Sequence, residues 1–595
     1  MNKNNFFKFF YMQIKYIFFY IIFFILFSCA RQSSPTGGEK DIKPPVLLES
    51  KPDNLSKNFK SKKIILKFDE YVQLKDVENN LLISPPMLEK AEIKLKGKSI
   101  LIKLKSELED STTYNFNFGD AIVDNNEGNI LKDFKFIFST SNEIDSFSIC
   151  GNLKNAFDLK AEENVMVMIY ENLNDTAPEK TIPIYIDRTD KNGNFFIKNI
   201  KKKKYKIFAL KDANSNFLFD MPNENIAFLD TFFIPTVELD FRKDTIKLDS
   251  LKDSIVTKKY FDFKPNDIEL FLFEEDNKRQ FLIENIREKA YKCIFIFNRN
   301  LKENLKIEIL GHKNTSSIIE TNPTKDTIFF WIKDSLIYKK DTLNFVISYA
   351  QKDSTEKFQL VNDTLRMVFK DKKVNKKGIF KKKKIINKEK LKYLTNVKNG
   401  QKINFNSPIY FEFENPIKKI DNEKIKLFKI VDSLKEEEKF FLKKSDNFIR
   451  KFFLNANWQE NSSYELLIDS LCFLGISDLY NDSILYKFQT QEAEFYGEII
   501  LNLEFIKNKT KLILQLMDKK NNIIAEKFLK LDEKKIEFDF LDPGNYFFKI
   551  IFDENGNKKW DTGNYKNKIQ PEKTKFYMDE INVRSNWEME VHWKL

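Results

Sequence analysis

Two stretches repeat one set of oxygen-bearing side chains. Asp212-Ala213-Asn214-Ser215-Asn216-Phe217-Leu218-Phe219-Asp220 and Asp553-Glu554-Asn555-Gly556-Asn557-Lys558-Lys559-Trp560-Asp561 both place Asp, Asn, Asn and Asp at positions 1, 3, 5 and 9. Alternate oxygen donors on a tightly wound loop suit a hard cation, so Asp212, Asn214, Asn216, Asp220, Asp553, Asn555, Asn557 and Asp561 are candidate calcium ligands. Position 12, where a bidentate carboxylate is expected, holds Asn223 and Asn564, which leaves Glu224 as the nearby acid of the first loop. Asn and Asp also fill tight turns for backbone reasons alone, so a structural turn is the competing reading.

Other chemistry finds little support. His312, beside Gly311, and His592, between Val591 and Trp593, are the only histidines, too few and too isolated for a zinc site or a catalytic triad. Gly97-Lys98-Ser99 lacks the upstream glycine of a phosphate loop, position 92 being Glu. A hydrolase would need two of the 88 acidic residues to converge, and no motif selects a pair. Phe59, Tyr71, Phe217, Phe219, Trp560 and Tyr565 are candidates for an aromatic platform, but a chain with 60 phenylalanines uses most rings in its core. Cys150, Cys293 and Cys472 fall in three different expected units, which points to buried free thiols rather than a disulfide framework. An enzyme is not expected.

The N-terminus supplies one further modification site. Lys3, Lys8 and Lys15 precede an apolar run over residues 16–27, and Leu26-Phe27-Ser28-Cys29 closes it with a small residue directly before cysteine. This resembles the bacterial lipobox. The resemblance implies a signal peptide over 1–28 and lipidation of Cys29, with an uncleaved membrane anchor as the alternative; residues 29–44, short on large apolar side chains and containing Ser-Ser-Pro-Thr-Gly-Gly, read as a flexible tether. Either way the remaining chain lies outside the cytoplasm against a membrane. The net charge of +12 accompanies abundant Lys, Asn, Ile and Phe with few Gly and Pro, the bias of an AT-rich genome, and the charges are mixed along the chain. No nucleic-acid partner is expected. Lys372, Lys373, Lys376, Lys377 and Lys381 to Lys384 form the one basic block, read as a linker over 371–390, with contact to an anionic surface as the alternative.

The elements that position these residues are strands. Ile64-Ile65-Leu66-Lys67-Phe68, Ile100-Leu101-Ile102-Lys103-Leu104 and Phe134-Lys135-Phe136-Ile137-Phe138 alternate with period two and recur with Asn/Asp/Lys turns between them, the pattern of a β-sandwich. Pro44-Pro45-Val46, Leu66 to Val72, Leu82-Ile83-Ser84-Pro85-Pro86 and Tyr114 to Asp124 leading to Phe138-Ser139-Thr140 make residues 45–141 resemble the bacterial Ig-like domain of Bacteroidota envelope lipoproteins. Thr189-Asp190-Lys191-Asn192-Gly193-Asn194-Phe195-Phe196-Ile197, followed by Tyr205-Lys206-Ile207, makes residues 145–240 resemble the transthyretin-like (carboxypeptidase-regulatory-like) sandwich, a non-catalytic module.

Both patterns recur. Tyr205 precedes Asp212, and Tyr546 precedes Asp553, by seven residues; Tyr114 precedes Phe138, and Tyr464 precedes Phe488, by 24. The expected fold is all-β, with three Ig-like units (45–141, 265–370, 391–492) and two transthyretin-like units (145–240, 494–595) in series. That organisation predicts a non-enzymatic, rod-like scaffold, lipid-anchored at the outer membrane and facing either the periplasm or the exterior. Its expected partner is an envelope protein such as an outer-membrane β-barrel or the machinery that assembles or exports barrels. A surface adhesin or glycan-binding module, and a hydrolase with a carboxylate or metal site, are the alternatives.

Overall fold

The computed structural model describes residues 41–595 apart from 222, 250–251, 277–279, 302–304, 313–315, 353–357, 370–389, 447, 505–510 and 531–532. The signal segment, Cys29, most of the tether and nearly all of the basic linker lie outside the described residues. The chain is all-β, and its sandwiches follow one another along the sequence. Among the described residues no helix is long and apolar enough to cross a membrane.

Alternation drives each sandwich. In Lys63–Phe68 the side chains of Ile64, Leu66 and Phe68 are buried and those of Lys63, Ile65 and Lys67 exposed, so one face of the strand enters the first core and the other meets water. The repeated tyrosines then do the same work twice. The Tyr114 hydroxyl accepts the Glu109 N–H at 2.8 Å and its ring stacks on Phe138, while the Tyr464 hydroxyl accepts the Gln459 N–H at 3.0 Å and its ring stacks on Phe488. Thr140 Oγ1 and Thr490 Oγ1 accept the N–H groups of Thr112 and Ser462. The second and fifth units share another corner, in which Tyr205 and Tyr546 donate to the carbonyls of Lys201 and Asp542, four residues upstream in both cases.

One boundary differs from expectation. Ile268–Glu274 pairs in parallel with Phe147–Asn155 and antiparallel with Asn225–Phe228, so it completes a seven-stranded sheet of the second unit instead of opening the third. This corrects the limits drawn at 240 and 265. Thr236–Asp249 and Lys252–Lys264 form a long two-stranded ribbon inserted ahead of that last strand. The fifth unit has the same parallel closure, Gly497–Glu504 against Glu588–Lys594, with residues 584–587 where the second unit carries the ribbon. Gly151 is required in the closing pair, since a Cβ there would lie 2.1 Å from the Ile268 carbonyl.

The units also pack on one another, which corrects the expected open rod. Met166–Tyr170 buries Val167 and Ile169 in its own sandwich and Met168 and Tyr170 on the opposite face, where Leu82 of the first unit and Tyr565 of the fifth join the same cluster. Between the third and fourth units, Arg450 Nε lies 2.8 Å from Glu320 Oε2, with the Trp331 indole N–H 3.3 Å from the same oxygen. Phe405 of the fourth unit packs edge-on against Tyr496 and Phe540. The second unit therefore contacts the first directly and the fifth across almost 300 residues of intervening sequence, as in the bond from Thr562 Oγ1 to the Glu274 carbonyl.

Glu320 is 3% exposed, so removing its cationic partner leaves a charge that water cannot reach. Arg450→Met is expected to cost about 3–5 kcal/mol, and Arg450→Met combined with Glu320→Met to recover most of it. Denaturant unfolding of the two variants measures both.

Candidate functional site

The two acidic loops have the same backbone. Asp212 Oδ1 accepts the Ser215 N–H at 2.6 Å and its Oδ2 accepts that of Phe217 at 2.7 Å; Asp553 accepts from Gly556 at 2.7 Å and Lys558 at 2.9 Å. Positions 4 and 6 of both loops, Ser215, Phe217, Gly556 and Lys558, are left-handed, the conformation that winds the chain around the first aspartate. Asn214 and Asn216 turn their Nδ2 groups onto Asp220 at 3.1 and 2.8 Å, and Asn555 and Asn557 do the same to Asp561. Each loop is closed by a buried glutamate. Glu224 accepts the N–H groups of Ala213, Asp220 and Met221, and Glu572 those of Glu554 and Asp561. Burial pushes the Glu572 carboxyl up, against the lowering effect of those two N–H groups.

Sequence reasoning noticed Glu224 but missed Glu572. The closing acid stands 12 residues after Asp212 in one loop and 19 after Asp553 in the other, so no fixed offset identifies it. For a cation, both loops have the right residue types, but the asparagines would have to present Oδ1 instead of Nδ2. Among the described residues no group of three or more His, Cys, Asp and Glu side chains is arranged to hold a metal ion.

What the loops do directly is carry aromatic rings into one contact between the second and fifth units. Tyr565, just after the second loop, enters a nest of Phe208, Phe219 and Phe228 with ring centroids 5.6, 6.2 and 5.0 Å away. Its hydroxyl donates to the Asp175 carbonyl and its N–H to Glu275. Trp560 of the second loop meets Phe157 edge-on at 5.0 Å and donates its indole N–H to the Glu572 carbonyl at 2.8 Å. Gly563 lies so close to Phe273 that a Cβ would come within 2.6 Å of its ring. Gln570 and Thr574 add bonds to the carbonyls of Phe228 and Ala156. Lys549, only 2% exposed, holds its Nζ 3.0 Å from the Phe157 ring centroid, and burial pushes its ammonium down to about 8.

Of the six aromatics singled out in the sequence, Phe217, Phe219, Trp560 and Tyr565 meet in this clasp. Phe59 instead stacks on Phe138 in the first core, and Tyr71 is 60% exposed. His312 lies beside Lys340, while His592 is exposed near Glu590 in the last strand. Cys293 and Cys472 are buried free thiols; Cys150 is only half-buried, its Sγ facing the Asn266 carbonyl.

A concavity of about 760 Å³ opens between the first and second units. It is lined by Lys135, Asp187, Arg188, Phe196 and the amides of Asn117 and Asn152. The Asp187 carboxyl is pushed up to about 6 by its enclosure, even though its Oδ2 accepts the Phe196 N–H at 2.6 Å.

Residues 41–140 match the family model of the bacterial Ig-like domain, and the first unit is an Ig-like domain. A search of the curated proteins finds no match to the chain. Among solved structures, the chain is similar to BcpA, the major pilin subunit of Bacillus cereus, at 11% identity over 75% of this chain and 98% of that one, with a TM-score of 0.13. It is also similar to the Bacillus anthracis TIE protein, at 8% identity over 94% and 76% with a TM-score of 0.12. It is similar as well to a segment of native alpha-2-macroglobulin from Escherichia coli spanning domains MG0-NIE-MG1, at 8% identity over 46% of this chain and 94% of that one with a TM-score of 0.18.

Tyr565→Ala empties the aromatic nest and is expected to cost about 3–5 kcal/mol at the clasp, read as an increased radius of gyration in X-ray scattering without loss of strand content. The Lys549 contribution has a definite sign. Its ammonium loses its proton near pH 8 when folded and near 10.5 when unfolded, so the unfolded chain holds the extra proton between those values and stability rises with pH across that window. Thermal unfolding from pH 7 to 10.5 measures the rise, and Lys549→Met is expected to flatten it.

Proposed function

We propose that the chain is a non-enzymatic, lipid-anchored scaffold of the bacterial cell envelope, whose linked sandwiches hold a partner protein in place. One observation carries this reading: the side chains best suited to bind a small molecule are spent on a contact between two of the chain's own units. Phe219, Trp560 and Tyr565 close a clasp where an exposed aromatic platform would stand open to solvent. The Ser28-Cys29 site supports a lipid anchor, and the Ig-like first unit suits a Bacteroidota envelope lipoprotein. The partner we propose is an outer-membrane β-barrel or the machinery that assembles or exports such barrels, with the chain outside the cytoplasm at the outer membrane.

The cleft between the first and second units favours one alternative. Several amides beside the 45%-exposed Phe196 ring suit a glycan, which would make the chain a surface binding module. The loops are also proposed as calcium sites, with Glu224 and Glu572 as the closing acids.

Mass spectrometry of the membrane-extracted protein is expected to find diacylglycerol on Cys29, and an unmodified soluble chain overturns the placement. Affinity capture from detergent-solubilised membranes is expected to recover a barrel or barrel-assembly component, and to recover less of it with Tyr565→Ala. Capture of neither component, together with saturable polysaccharide binding abolished by Phe196→Ala, selects the glycan reading. Calorimetric titration with calcium tests the loops, and absence of heat at millimolar metal removes them as metal sites.

A further inference from the structure

We infer that the ribbon of Thr236–Asp249 and Lys252–Lys264 is a second membrane contact, independent of the lipid anchor, that lays one face on an anionic lipid surface. The ribbon forms a two-stranded sheet of its own, hydrogen-bonded to no third strand among the described residues. Such a hairpin is marginal in water unless one face is covered. The sandwich itself does not require it, because the fifth unit closes the same way with residues 584–587 in its place.

The register sorts its side chains by chemistry. Val237 opposes Phe263, Leu239 opposes Phe261 and Phe241 opposes Lys259, while Glu238 opposes Asp262 and Asp240 opposes Tyr260 on the other face. Leu239, Phe241 and Phe261 are 54%, 54% and 68% exposed, a cluster of apolar surface unusual on a soluble module. Among the described side chains the cation on that face is Lys259, which lies over the Phe241 ring, whereas the described acids sit on the back, where Asp240 accepts from the Tyr260 hydroxyl and Asp262 pairs with Lys264. An apolar face flanked by lysine and backed by carboxylates is complementary to anionic headgroups over acyl chains, since lysine stems reach outward from an apolar seat.

A basic turn lies near the ribbon's base. Phe263 meets the Phe147 ring at 6.3 Å, and Phe147 pairs directly with Ile200, the residue before Lys201-Lys202-Lys203-Lys204. Lys204 covers the exposed Phe232 ring at 4.8 Å, and Lys202 is exposed, while Lys203 pairs with Glu171. Clustered lysines beside exposed aromatics are the composition that binds acidic lipid and releases it in salt.

The test is flotation of the chain from Ala30 onward, which lacks the acylation site and so separates this contact from the proposed anchor. Vesicles of phosphatidylcholine with and without phosphatidylglycerol are the probes. The chain is expected to float with the anionic vesicles, at least tenfold less with neutral ones, and to be released by high salt. Leu239→Asp with Phe261→Asp is expected to lower anionic binding about tenfold, as is Lys202→Glu with Lys204→Glu, while Glu238→Gln on the back face leaves it unchanged. Far-ultraviolet circular dichroism and melting temperature confirm that each variant folds. Absence of flotation by the parent chain overturns the inference, as does undiminished flotation of the Leu239/Phe261 variant. Self-association abolished by that same variant, without lipid binding, assigns the face to a second copy and overturns it equally.

Discussion

A sheet that is apolar on both faces has to be covered twice, and the second unit has such a sheet. Met166–Tyr170 runs Met-Val-Met-Ile-Tyr without a polar break; its odd and even side chains go to different clusters. The sandwich covers one face. The other would present Met168, Tyr170, Phe208 and Phe228 to water, several large side chains at roughly 1.5–3 kcal/mol each. Leu82 from the first unit and Tyr565 from the fifth supply the cover. The relative placement of three units thus follows from the lack of alternation in Met166–Tyr170 and its neighbours Lys206–Lys211 and Asn225–Phe228, and both acidic loops serve that placement by aiming Phe219, Trp560 and Tyr565.

Much of this was legible in the sequence, and the parts that were not share a physical reason. Short-range hydrogen bonding leaves fixed spacings, so the tyrosine corners at Tyr114, Tyr464, Tyr205 and Tyr546 and the wound loops after Asp212 and Asp553 were visible as repeats. Contacts between distant segments leave no spacing. Nothing near Glu275 announces that Tyr565 will reach it, and Glu572 closes its loop from an offset that Glu224 does not share. The unbroken apolar run at 166–170 was the available signal for a second packing face; it also suited an ordinary core strand.

The misplaced boundary has a similar origin. Ile268–Glu274 alternates as the opening strand of a new sandwich would, and the ribbon holds it apart from the sheet it completes. Adjacency in sequence joins Ile268–Glu274 to the strands that follow it, whereas the parallel bond ladder to Phe147–Asn155 joins residues more than 100 positions apart.

That ladder bears on how the chain answers tension. In the second unit the entering strand and the leaving strand lie side by side and run the same way, and in the fifth unit Gly497–Glu504 and Glu588–Lys594 repeat the arrangement. A pull on the two ends of the second unit therefore slides these neighbours lengthwise, loading their hydrogen bonds together instead of peeling them one at a time. Each of these two units is thereby built as a link that resists stretching along the chain.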